Sequence, residues 1–84
     1  MSDDAAQRIG DMVGELARGL VDSPGDVRVE VEDDGDGVVL SLYVAQEDLG
    51  QVIGRGGRIA RSLRLLVRRA AQQRGRRVSL EIVD

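Results

Sequence analysis

Gly54-Arg55-Gly56-Gly57 is the tightest constraint on what this chain can fold into. Apolar residues run up to it at Leu49, Val52 and Ile53. Beyond it they recur at helical spacing, at Ile59, Leu63, Leu66, Val67 and Ala70. The spacing predicts two helices joined by a glycine corner. An ordinary helix-turn-helix corner often needs a single glycine, and three in four positions exceed that need. Without Cβ atoms, the backbone here is open to close approach from outside. Arg55 lies inside the turn and Arg58 directly after it, where the second helix opens with the positive end of its dipole.

The rest of the chain sets this corner in an α+β frame. Ser2, Asp3 and Asp4 offer N-cap oxygens for a first helix, whose apolar stripe is Ile9, Met12, Val13, Leu16 and Leu20. Gly10, Gly14 and Gly19 weaken that helix by up to about 1 kcal/mol each relative to alanine, so packing must hold it. Asp22-Ser23-Pro24-Gly25 ends it. Val27, Val29 and Val31 alternate with Arg28, Glu30 and Glu32, the period of a half-buried strand. Asp33-Asp34-Gly35-Asp36-Gly37 supplies a turn. Val38 to Ala45 follows as a second strand, with Leu40, Leu42 and Val44 on one face. Gln46 to Ile53 reads as a short helix with Glu47 and Asp48 in its first turn and Leu49, Val52 and Ile53 facing inward. Arg74-Gly75 closes the long helix, and Val78, Leu80 and Ile82 form a last strand. The expected order is α-β-β-α-α-β, a single α+β domain over 1–84 with a three-stranded sheet covered on one face by three helices. Its parts are a helix and hairpin at 1–45, a helix-turn-helix at 46–74 and a closing strand at 77–83.

Charge bears on what such a corner meets. The net charge is −3, but residues 1–48 hold 13 acidic and 3 basic side chains, and residues 49–84 hold 2 acidic and 9 basic. A ligand meets one face, and ionic fields decay within about 8 Å at physiological salt, so the asymmetry matters more than the total. All 12 basic residues are arginine, whose planar fork suits phosphate. An open glycine turn with arginines at a helix N-terminus therefore points to a sugar-phosphate backbone and a small nucleic-acid-binding domain. Neither nucleotide fingerprint fits: no Lys-Ser/Thr follows the glycines, and dinucleotide spacing would need glycine where Ile59 stands. With no histidine or cysteine, and serines lacking an evident base, an enzyme is not expected, nor is a cofactor or a metal. No apolar run approaches the roughly 20 residues of a membrane span. The acidic start is unlike a signal peptide, so a cytoplasmic protein is expected.

The element order, with Ile53-Gly54-Arg55-Gly56-Gly57 between the two central helices, resembles the type II KH domain of bacteria. The run from Asp48 through Gly54, Gly57 and Ile59 to Leu63 is similar to the motif region of the short stand-alone KH proteins known as the KhpA family, as is Gly75 to Ile82. That resemblance implies a non-catalytic protein for single-stranded RNA that acts as a homodimer or beside a larger KH-containing partner. It also implies a link to RNA regulation or chaperoning, cell division and cell shape. The KH loop clamps about four nucleotides, which makes Ile53, Gly54, Arg55, Gly56, Gly57, Arg58, Ile59 and Arg61 the expected RNA-binding residues. Many members carry a basic residue where Gly56 stands, and the extra glycine is expected to make this loop more flexible. In type II domains the loop corresponding to the acidic hairpin can border the binding groove.

Arg64, Arg68 and Arg69 read as a solvated helix face. Leu65 lies among Arg58, Arg61 and Arg69 on the helical wheel and is the candidate dimer contact. A lone aromatic, Tyr43, leaves no platform for successive base stacking. The competing reading is a KH-fold module whose contacts are mainly with protein. Single-stranded DNA remains a ligand alternative to RNA.

Overall fold

Leu40 and Leu42 alternate with Val39, Ser41 and Tyr43, and that period becomes the central strand, β2 (Val38–Tyr43). In the computed structural model, which describes residues 4–84, β2 is flanked by β1 (Arg28–Asp33) and β3 (Val78–Ile82). β1 pairs antiparallel with β2, Val31 opposite Leu40 and Val29 opposite Leu42. β3 pairs parallel with β2, Leu80 opposite Leu40. The sheet order is β1-β2-β3.

Three α-helices complete the expected order: α1 (Asp4–Leu20), α2 (Leu49–Ile53) and α3 (Arg58–Gln73). α1 packs over β1 and β2, α3 packs over β3 and α2 contacts the other two helices. Leu40, Leu42, Val13, Val52 and Val67 fill the space between the layers, fully buried. Arg28, Glu30, Val39, Ser41 and Tyr43 lie on the opposite face of the sheet. There the Arg28 guanidinium stacks 4.1 Å from the centre of the Tyr43 ring. Ser2 and Asp3, predicted as N-caps, lie outside the described residues.

Both long helices are rotated from their predicted faces. In α1 the buried side runs through Ala6, Ile9, Gly10, Val13, Gly14 and Ala17, while Leu16 and Leu20 stay exposed. The reason is close approach. A Cβ on Gly10 would lie 3.5 Å from both Val29 and Val31, so small residues let the helix sit down on the sheet. In α3, Ala60 and Ala71 join Leu63 and Val67 on the buried side, and Leu66, predicted inward, is 47% exposed.

The α2 region also departs from its expected form. Gln46–Asp48 is a single 3-10 turn preceding the α-helix. Of the three apolar residues predicted to face inward, Val52 is core, Leu49 is half-buried and Ile53 is exposed. Asp48 is not a solvated first-turn carboxylate. It is 1% exposed, and its Oδ2 accepts the Ser23 N–H at 2.9 Å. That bond ties the start of α2 to the loop after α1.

Candidate nucleic-acid interface

The turn between α2 and α3 is built on backbone conformations that side chains disfavour. Gly54 has φ 77° and ψ 170°, a region essentially reserved for glycine. A Cβ there would stand 2.7 Å from Ile59 Cγ1. Gly56 (φ 64°, ψ 16°) and Gly57 (φ 78°, ψ 15°) are both left-handed. Backbone bonds close the corner: Gly54 N–H donates to Gly50 O at 2.8 Å, and Gly57 N–H donates to Gly54 O at 3.1 Å. Nothing lies within 4 Å of where a Gly56 Cβ would be, so this part of the backbone faces open space.

α3 begins directly behind this surface. Its N-cap, Gly57, has no side chain to cap the first-turn N–H groups, and no Asp or Glu lies in that turn. Orphan donors and the positive dipole end therefore go uncompensated by the protein's own acids. Arg55 and Arg58 are exposed on either side. Ile53, 36% exposed, and half-buried Ile59 give the turn an apolar margin. Arg61 is folded back on the turn, with Nη1 donating to Gly56 O at 2.8 Å. The loop expected to be flexible is thus tied by a side chain one helical turn away.

The remaining arginines differ among themselves. Arg64, read as solvated, donates from Nε to Leu80 O of β3 at 3.3 Å in a partly buried contact. Arg76 and Arg77 line a depression with Asp33, Gly35, Asp36 and Gly37 of the acidic hairpin, and Val38 N–H donates to Arg77 O at 2.9 Å. That places the hairpin at the C-terminal end of α3. Its 16 residues span about 24 Å, so the carboxylates sit several screening lengths from the glycine turn. Tyr43 lies on the open sheet face against Arg28, engaged away from the helices. Among the described residues no group of His, Cys, Asp or Glu is arranged to hold a metal ion, and no helix is long and apolar enough to cross a membrane.

Three helices on one face of a β1-β2-β3 sheet, with the glycine turn between α2 and α3, is the type II KH arrangement. The family description KhpA/KhpB, KH domain, fits residues 10–82. The chain belongs to the KhpA/KhpB KH-domain family. A protein of Halalkalibacterium halodurans is 47% identical over 73 residues, which cover 87% of this chain and 96% of its own length. One of Leifsonia xyli subsp. xyli is 49% identical over 69 residues, covering 82% and 88%. One of Mycobacterium tuberculosis is 46% identical over 74 residues, covering 88% and 89%. All three carry the name RNA-binding protein KhpA.

Within this KH domain, Ile53 to Ile59 run through the turn with every residue at least partly exposed, and Arg61 is tied to them through Gly56 O. Leu65 is 42% exposed and lies further along α3, with Leu66 beside it at 47%. Leu66 is the residue the sequence reasoning missed. The signal was present: on the wheel it falls between Gln73 and Ile59, at the margin of the stripe, while Ala60 and Ala71 mark the buried flank on the far side of Leu63 and Val67.

Proposed function

We propose that this chain is a non-catalytic protein that binds single-stranded RNA through a backbone clamp at Gly54–Gly57, in the cytoplasm, as a regulator or chaperone of RNA. The observation that carries the reading is the open turn itself. Left-handed glycines expose peptide groups at the uncapped start of α3, between two exposed arginines and with no acid in that turn. Gly54, Gly56 and Gly57 admit the sugar-phosphate chain. Arg55 and Arg58 supply charge-assisted contacts, Arg61 completes the basic rim, and Ile53 and Ile59 form the apolar edge against which a base rests. Relatives that bear the name of RNA-binding proteins support the same reading.

Backbone NMR with a short oligouridine tests the location. Shifts concentrated at residues 53–61 agree with the clamp; shifts confined to α1 or to the open sheet face would contradict it. The same titration with the matching DNA oligomer shows whether a 2′-hydroxyl is read.

A second interface has its own observation. Leu65 and Leu66 are adjacent large apolar side chains, both exposed on α3. They form the contact through which two copies of α3 pair, or through which a larger KH-containing protein docks. Pairing joins two weak clamps and raises avidity through effective concentration. Sedimentation of a Leu65→Glu, Leu66→Glu variant is expected to show a monomer where the parent is a dimer; an unchanged dimer would remove this contact.

A further inference from the structure

We propose that Arg61 is a positioning residue that locks the peptide plane between Gly56 and Gly57 in the shape the clamp requires. The proposal deepens the RNA-binding reading and rests on it for its consequence, not for its geometry.

That peptide unit is held at both ends. Its N–H, on Gly57, donates to Gly54 O at 3.1 Å. Its carbonyl, on Gly56, accepts from Arg61 Nη1 at 2.8 Å. Neither flanking residue supplies any restraint of its own, because glycine crosses between left- and right-handed backbone at little cost. A plane set between two glycines is the easiest kind to rotate, and here a side chain supplies one of its two ties.

The route of that side chain depends on the same glycines. Helical side chains lean towards the N-terminus, so Arg61 reaches back across Gly57, where a Cβ would lie 3.3 Å from Nη1. The bond also gives the Gly56 oxygen a cationic partner. Left alone, that carbonyl would present a negative dipole end to an incoming phosphate. A guanidinium has five N–H donors; those not on Gly56 remain available on an exposed side chain. Arg61 thus shapes the turn before RNA arrives and can contact the phosphate afterwards.

The test uses the full chain with Arg61→Gln, whose shorter side chain cannot span to Gly56, and with Arg64→Gln as a charge control directed at Leu80 rather than the turn. Relaxation of the backbone 15N nuclei is measured first without RNA. In Arg61→Gln the Gly56 and Gly57 order parameters are expected to fall from the rigid range near about 0.85 to below about 0.6. The melting temperature and the Arg64→Gln loop stay at parent values. Titration with oligouridine then shows about a tenfold loss of affinity for Arg61→Gln. A turn as ordered in Arg61→Gln as in the parent overturns the proposal, whatever happens to RNA. A loosened turn with undiminished affinity overturns its consequence. A parent that binds no RNA, beside a variant with a loosened turn, defeats the RNA-binding reading and leaves the lock standing.

Discussion

A methyl group at position 54 would stand 2.7 Å from Ile59 Cγ1, on a residue whose φ of 77° already disfavours any side chain. Gly54→Ala is therefore expected to lower stability by about 1–3 kcal/mol, read as a reduced midpoint in urea. A change within a few tenths would show that the turn relaxes freely and that its glycine is not required by the fold. Asp48 has a different kind of constraint. Its carboxylate is buried and satisfies the Ser23 N–H, so Asp48→Ala leaves a donor without its partner. The expected cost is about 1–3 kcal/mol, again by urea unfolding, and Asp48→Asn, which keeps an acceptor in place, is expected to lose less. Equal losses in both variants would mean that the carboxylate's charge, not the bond, matters. This role was hidden in the sequence, because the acceptor and its donor are 25 residues apart and Asp48 looks like an ordinary first-turn acid.

At the scale of elements, periodicity was a good guide to which segments are helix and strand and a poorer one to which face is buried. The closing strand, the hairpin and the start of α3 fall where alternation and glycine place them. The faces of α1 and α3 shift because small residues pack closer than large ones. Gly10 lies against Val29, Val31 and Leu40, and Ala60 and Ala71 occupy the core side of α3. A hydropathy stripe weights leucine over glycine and alanine, so it points at Leu16 and Leu66 instead. The α1 glycines therefore differ in purpose. Gly10 sits in the helix–sheet contact, whereas Gly19 has nothing within 4 Å of its would-be Cβ. Gly19→Ala is expected to raise stability by about 0.5–1 kcal/mol through helix propensity alone, measured as an increased thermal or urea midpoint. Destabilisation instead would mean that the end of α1 makes contacts its open surroundings do not suggest. The turn itself was legible as a glycine corner, but its Arg61 tie was not: sequence spacing does not say which way a long side chain folds.

Across the whole molecule the fold separates the charges that the sequence only lists in halves. The acidic hairpin is gathered beside Arg76 and Arg77 at one end of α3, and the glycine turn with Arg55 and Arg58 lies at the other. The carboxylates of the hairpin therefore do not oppose phosphate at the turn, given a screening length of about 8 Å. The exposed Leu65 and Leu66 lie between those two ends. The most direct measurement is fluorescence anisotropy of a short single-stranded RNA at several salt concentrations, beside a folded Arg55→Asp, Gly56→Asp variant. Binding that weakens with salt, with a log–log slope near about −0.7 per phosphate contacted, and that disappears in the variant is the predicted result. Equal binding by the variant, or no binding by the folded parent, would contradict the clamp.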